Sequence, residues 1–490
     1  MATAKLAADC QAEDPGADHD HVIAAHGRYV IASGPLVASP LGSFIQREVR
    51  VRAAYQPEVH PSPLDKSLSQ RERGETYTSL MAPATRPGWY ASWLIEGADS
   101  AADRAVANPA SLGVGADLIG FGGGQPAAES YPLEALERAF SRAILEDGRA
   151  VLPYGPSQGL LALREIVAER LRRRGIEITP DNVVILTGSL QGLHLIGRVT
   201  LDRADTIVIE APTFMGALTT WEQQQPRYLS IPVDEHGMLV EALEQALAGG
   251  GPRPKFVYLL PTFQNPSGVS LTPDRRRRLL EIAQEHDLLI VEDDPYGEFW
   301  FDEGAERIVP LRSLPGAEEH VVYLGTFSKI LAPGIRLAYA VAEPDMVQAL
   351  LRAKRGVDFH TPTLLQQAVV HLVRDPEFDL EAHIAAGRRL YRERRDAMLD
   401  ALETAFSSET RWTRPGGGFF LWIDLPSGVS GDAVASAAMG EGVAVFPGSI
   451  FYPNANGGSN GLRLSYSNVT VERIREGIER LRRGVAAVAS

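Results

Sequence analysis

Cysteine is nearly missing from this chain. Cys10 is the only one in 490 residues, which excludes an internal disulfide, and the 11 histidines are scattered with no zinc-like Cys/His spacing. Long apolar runs are missing as well. None approaches the roughly 18–20 residues that span a bilayer, so no membrane partner is expected. The first residues carry Asp9, Glu13 and Asp14 where a signal peptide would have a basic and then an apolar stretch, and a cytoplasmic location is expected. Excess positive charge is absent too. With 62 acidic against 48 basic residues the formal net charge is −14, which argues against nucleic acid and for a soluble metabolite as partner. No repeat or low-complexity tract stands out.

What is present divides the chain unevenly. Residues 1–84 have broken periodicity, clustered prolines (Pro57, Pro61, Pro63) and a polar run from Ser67 to Ser79, the composition of a poorly ordered extension. Met81 is the first methionine after Met1 and precedes the first domain-like stretch, which raises the hypothesis of a translation start there. N-terminal sequencing of the native protein that found residues from 1–60 would refute it. From about residue 130 the pattern becomes βα alternation. V-V-I-L-T (183–187), T-I-V-I-E-A (206–211), F-V-Y-L-L-P (256–261), L-L-I-V-E-D-D (288–294), V-V-Y-L-G (321–325) and L-A-Y-A-V-A (337–342) are short β-branched runs bounded by turn signals. Most are separated by helical stretches, which predicts an α/β fold with a mostly parallel central sheet. A long amphipathic stretch over 379–406, short strands near Gly418–Asp424, Val443–Phe446 and Leu462–Tyr466, and a helix from Val471 to about 483 predict a smaller α+β domain at the end.

Lysine is scarce in a way that bears on chemistry: of the basic residues only Lys5, Lys66, Lys255, Lys329 and Lys354 are lysines. Arginine cannot form an imine at neutral pH, whereas a lysine amine can be tuned by burial and neighbouring charge into a nucleophile. Lys329 follows a predicted strand in a Gly/Ser/Thr-rich turn, with Arg336 soon after. Ligands sit at the carboxyl ends of strands in such sheets, and four more stretches fall at strand ends. Gly188-Ser189-Leu190-Gln191-Gly192 opens a helix, either an anion site or a plain helix cap. Ala211-Pro212-Thr213-Phe214 puts an aromatic ring at a strand exit, which alone fits core packing better. Thr262–Gly268 holds Asn265 in what alone is a simple turn. Glu292-Asp293-Asp294-Pro295-Tyr296 brings three carboxylates, but nothing supplies the further cluster a metal site would want, and no metal is expected. An anion cradle, an aromatic plate, an amide, a carboxylate, a tyrosine and an amine together are the set that pyridoxal phosphate needs.

These residues resemble the fold-type I pyridoxal-phosphate aminotransferases of class I/II, over about residues 118–485, in the branch similar to 2-aminoadipate and kynurenine aminotransferases. The motifs that carry the resemblance are L-L-P-T-F-Q-N-P-S-G-V, V-E-D-D-P-Y-G-E, G-T-F-S-K-I-L-A-P-G-I-R-L-A-Y and G-V-D-F-H-T-P. The resemblance implies Lys329 as the imine-forming lysine and proton shuttle, Asp293 at the pyridine nitrogen, and Asn265 and Tyr296 at the ring hydroxyl. It implies Phe214 stacked on the ring, where relatives often have Tyr, and Ser189, Leu190, Gln191, Ser328, Arg336 and Thr326 around the phosphate, the last where relatives often have Ser. Arg463 in G-L-R-L-S-Y would clamp the substrate α-carboxylate, and Gly123 in F-G-G-G-Q-P would lie near the substrate. Tyr154 in L-P-Y-G-P-S-Q-G matches a tyrosine that reaches the neighbouring subunit's phosphate, which implies a homodimer with shared active sites. The domains implied are an arm with part of the small domain over 85–130, a large cofactor-binding domain over 131–374 and a small C-terminal domain over 375–490.

The resemblance falters over 93–110, where relatives place a substrate-selecting helix; Arg104 is the candidate reader of a distal carboxylate there. The expected reaction is transfer of an amino group from an amino acid to a 2-oxo acid, commonly 2-oxoglutarate, by ping-pong turnover. The same skeleton also serves lyases, cyclases and oxidases. A transcription regulator is a further alternative, for which residues 1–84 would have to read DNA; Arg47, Arg50 and Arg52 are basic, but the prolines break any helix-turn-helix pattern. The run Arg275–Arg278 reads as the exposed face of a helix after Pro273.

Overall fold

A computed structural model of the chain describes residues 117–302 and 308–489, with the backbone of two further strands, β1 (His21–Ala25) and β2 (Arg28–Ala32). The chain divides into two units, Met1–Thr76 and Tyr77–Ser490. In the first, β1 and β2 pair antiparallel, His21 opposite Ala32. The other expectations for residues 1–84, the start near Met81 and the role of Arg104 lie outside the described residues.

In the second unit, β3 (Ile119–Gly120) is followed by the strands of the large sheet: β4 (Val183–Leu186), β5 (Thr206–Ala211), β6 (Arg227–Asp234), β7 (Gly237–Met238), β8 (Phe256–Leu259), β9 (Leu289–Asp293), β10 (Val321–Thr326) and β11 (Ala338–Val341). Their order is β4-β11-β10-β9-β8-β5-β6-β7. The inner strands run parallel, with β10 on β9, β9 on β8, β8 on β5 and β5 on β6. Every residue of β4, β8, β10 and β11 is buried, as the near-continuous apolar runs of a two-sided sheet require.

Two features differ from a simple βα reading. β11 is antiparallel to both its neighbours, β10 and β4. The link 327–337 is too short for the helical crossover that a parallel return demands, so the chain doubles back, and this tight return carries Lys329. β6 is the second: R-Y-L-S-I-P-V-D is polar, holds Pro232 and is mostly half-exposed or exposed, so no apolar run announces it. It lies near the sheet edge, where proline is tolerated.

The helices used below are α1 (Ser189–Thr200), α2 (Met215–Trp221), α3 (Pro344–Arg355), α4 (Leu380–Ala405) and α5 (Val471–Ala489). α4 is the predicted long amphipathic helix; Asp379 caps it by accepting from the amides of Glu381 and Ala382. Beyond it β12 (Arg411–Trp412), β13 (Phe420–Asp424), β14 (Val443–Ala444), β15 (Phe446–Pro447) and β16 (Gly461–Ser465) form the smaller layer. Its sheet has the order β12-β13-β16-β15 and is antiparallel. β14 leaves that sheet to pair in parallel with β3, Val443 opposite Ile119, so residues 119–120 join the C-terminal elements. α5 packs over this layer through Ile474, Ile478 and Leu481, all fully buried.

Candidate active site

The carboxyl ends of the inner strands converge with the glycine-rich segment after β3. β10 ends at Thr326, and its turn is closed by local bonds: the Ser328 amide donates to Thr326 Oγ1 at 3.0 Å, and Thr326 Oγ1 donates to the Leu337 carbonyl at 3.3 Å. Lys329 therefore leaves the turn in a set direction. Its Nζ donates to the Gly124 carbonyl at 2.8 Å and lies 5.9 Å from the Tyr296 ring centre. Burial, with the Arg463 and Arg336 guanidinium groups, pushes the amine down to about 8 against a partial pull from Asp293.

The three carboxylates at the end of β9 do not converge. Side chains alternate across a strand, so Glu292 and Asp294 turn away from Asp293. Glu292 is sealed by the amides of Leu311 and Arg312 at 2.8 and 2.9 Å. Asp294 is held by Arg174 at 2.7 Å, the Tyr323 hydroxyl at 3.0 Å and the Gly297 amide at 2.8 Å. Asp293 alone is left for the site. It is 3% exposed, and its Oδ2 accepts from the Tyr258 hydroxyl at 3.0 Å. Burial pushes its carboxyl up to about 7, and the Tyr258 bond and Lys329 counteract that only in part. Among the described residues no group of three or more His, Cys, Asp or Glu is placed to hold a metal ion.

Arg463 reaches in from β16. Its Nη1 donates to Asn265 Oδ1 at 2.8 Å and its Nη2 to the Gly122 carbonyl, while its Nε is buried without a partner. Three rings surround the guanidinium, Phe420, Phe446 and Phe451, at 4.2, 4.8 and 5.0 Å from their centres. Burial lowers its pKa to about 9, so the group is still a cation at neutral pH. It is a buried cation with neutral hydrogen-bond partners and no carboxylate, the state in which an arriving carboxylate gains most. Tyr296 is buried against Phe419 and Phe420, and that burial raises its hydroxyl pKa.

At the end of β4, Gly188 has φ +87° and opens α1 with no side-chain cap. A Cβ there would collide with the Arg336 guanidinium, which comes from a residue itself in the left-handed region (φ 54°). Ser189 is half-buried and Leu190 is 41% exposed. Gln191 behaves otherwise than its expected phosphate contact suggests: its side chain turns back, accepting from the Thr187 amide at 2.8 Å and donating to Asp358 at 2.7 Å. Phe214 is half-buried just before α2. Gly123 faces open space, with no heavy atom within 4 Å of where a Cβ would stand. Tyr154 is 87% exposed and meets Phe359 and His360 edge-on, at 5.8 and 5.9 Å, outside the group just described.

Several members of the site carry no signal in the sequence. The carbonyls of Gly122 and Gly124 hold Arg463 and Lys329, and Tyr258 holds Asp293, yet each is an ordinary loop or strand residue in one dimension.

The family model for aminotransferase class I and II matches residues 116–481. The 2-aminoadipate transaminase of Thermus thermophilus is 43% identical over 75% of this chain and 90% of its own length. Aromatic-amino-acid aminotransferase 1 of Thermococcus litoralis is 40% identical over 74% of this chain and 87% of its own. A crystal structure of LysN, the α-aminoadipate aminotransferase of Thermus thermophilus complexed with N-(5'-phosphopyridoxyl)-L-leucine, superposes with a TM-score of 0.72 at 40% identity, covering 81% of this chain and 99% of that one. The fold and the match together place this chain in the class I and II aminotransferases. It is a pyridoxal-phosphate-dependent aminotransferase of fold type I, as the motifs implied, and the lyase, cyclase and oxidase readings are not favoured. No described helix is long and apolar enough to cross a membrane.

Proposed function

We propose that this enzyme moves the amino group of an L-amino acid to 2-oxoglutarate in two half-reactions, with the named residues in the following roles. The residues present fit pyridoxal phosphate: a glycine turn that a Cβ would fill, a buried acid, a buried amine of lowered pKa and a buried guanidinium with an unpartnered Nε. When bound, the cofactor supplies an aldehyde for the amine and a conjugated ring that takes up electrons from the substrate's Cα.

Lys329 captures the cofactor and then moves a proton to and from the substrate's Cα. An amine pushed down to about 8 is partly neutral at physiological pH, as that task demands. Asp293 holds a proton at the pyridine nitrogen, oriented by Tyr258. Asn265 and Tyr296 would serve the ring hydroxyl, and Phe214 would pack against the ring. Ser189, Leu190, Thr326, Ser328 and Arg336 shape the phosphate cradle, where the opening amides of α1 favour an anion. Arg463 binds the α-carboxylate, and Gly123 leaves room beside it.

The single observation that carries the reading is a shared anchor: Lys329 and Arg463, 134 positions apart in sequence, both donate to the Gly122–Gly124 segment. A homodimer with shared sites is part of the same proposal. Tyr154, Leu152 and Phe359 stand 87%, 69% and 48% exposed, more apolar surface than a lone subunit would favour, and Tyr154 of the partner subunit would complete each cradle. A cytoplasmic location accompanies a metabolite enzyme of this kind. The donor is proposed from the 2-aminoadipate and aromatic classes, by similarity to the relatives; the segment 93–110 lies outside the described residues. The experiment is a screen of amino donors with 2-oxoglutarate. Glutamate formation is expected, and ammonia or peroxide release without an acceptor would overturn the proposal. The regulator alternative, for which residues 1–84 would have to read DNA, is not favoured; salt-dependent DNA binding by the full chain would count for it.

A further inference from the structure

Lys354 is fully buried on α3, and arginine is this chain's usual cation. A buried ammonium is costly unless fully paired, and this one is paired completely. Its Nζ donates to both oxygens of Asp358 at 2.8 Å, to Thr361 Oγ1 at 3.0 Å and to Gln191 Oε1 at 3.1 Å. Gln191 is bound on both sides: it also donates to Asp358 and accepts from the Thr187 amide. Thr187 in turn donates its hydroxyl to Asp358 Oδ2 at 3.1 Å. The network thus grips the residues on either side of Gly188 and Ser189.

That turn needs such a grip. Gly188 gives α1 no side-chain cap, its φ is +87°, and it is packed so closely under Arg336 that a methyl group would not fit. Just before the turn, Gln191 accepts from the Thr187 amide, and Lys354 with Asp358 fixes Gln191.

We infer that the Lys354–Asp358 pair is a positioning device for the cofactor's phosphate, acting through Gln191 and Thr187 on the Gly188–Ser189 turn. Lys354 and Asp358 themselves touch no reacting atom. The inference rests on the pyridoxal phosphate reading above and extends it to Lys354 and Asp358, to which that reading gave no role.

The test compares pyridoxal phosphate with pyridoxal, which lacks the phosphate, titrated into full-length protein freed of cofactor. Lys354→Met and Gln191→Leu are each expected to weaken pyridoxal phosphate about tenfold, the scale of one hydrogen bond to a charged group, and to leave pyridoxal within about twofold. The double variant is expected to be no weaker than the worse single, because the two act as one unit. Equal weakening of both ligands, additive losses or no loss would overturn the inference. Where Lys354→Met does not fold, the same ratio measured on Gln191→Leu decides. A wild-type chain that captures neither ligand would overturn the functional reading, and this inference with it.

Discussion

Arg463 Nη1 donates to Asn265 Oδ1 at 2.8 Å, joining a strand of the small sheet to a turn of the large one across 198 positions of sequence. The contact leaves the guanidinium's Nε unpartnered and its charge among three aromatic rings. An amino-acid carboxylate would meet a planar fork already desolvated and oriented.

Replacing that fork with a point charge is therefore expected to hurt. Arg463→Lys should lower kcat/KM for the amino donor about ten- to a hundredfold, chiefly through KM, since charge persists but paired hydrogen bonding does not. Steady-state kinetics with a fixed 2-oxo acid would check it; an unchanged KM would remove Arg463 from the carboxylate site.

Lys329→Ala should lose about a thousandfold or more in turnover, the scale of a lost general base. Borohydride trapping followed by peptide mapping should find the pyridoxyl label on Lys329 in the wild type and nowhere in the variant. A label on Lys354 or Lys255 would show that the wrong amine had been chosen.

The lowered pKa of Lys329 has a pH signature. Burial comes first among its causes, then Arg463, with Asp293 opposing. The neutral amine grows as pH rises through about 8 rather than through the usual lysine range near 10.5. Covalent capture of pyridoxal phosphate by cofactor-free protein should speed up about tenfold between about pH 7 and 9 and then level off. The folded chain binds fewer protons than the unfolded chain between about 8 and 10.5, so this site's cost to stability is present below that window and relieved as pH rises through it. Stopped-flow absorbance across pH measures the first effect, and a rate still climbing at the usual lysine pKa would contradict it.

Gly188→Ala combines a φ of +87° with a collision against Arg336. It should cost about 1–3 kcal/mol in the thermal or chemical unfolding of the cofactor-free protein. It should also weaken pyridoxal phosphate more than pyridoxal. Wild-type stability in the variant would mean that Arg336 moves aside freely.

Much of the fold was readable because a sheet buried on both faces demands apolar runs. V-V-I-L-T, T-I-V-I-E-A and V-V-Y-L-G became β4, β5 and β10 with bounds shifted by at most one residue. β6 was not readable, because a strand near the sheet edge need not be apolar and R-Y-L-S-I-P-V-D is not. The run Val443–Phe446 read as one strand, yet it splits at Val445 between two different sheets, a choice made by partners far away in sequence.

The site shows the same division. Sequence by itself determined which groups are available: one amine in a ligand-facing turn, an acid at a strand end, a glycine that must precede a helix, an arginine in a small-domain strand. These are local facts, set by side-chain chemistry and backbone allowance. Only the tertiary structure decided how they are used. It turned Gln191 away from the cradle and into the Lys354–Asp358 network, separated Asp293 from Glu292 and Asp294, and brought the carbonyls of Gly122 and Gly124 to Arg463 and Lys329. Each of those outcomes depends on a partner distant in sequence, and hydrogen bonds between such residues are settled by how the strands and helices pack.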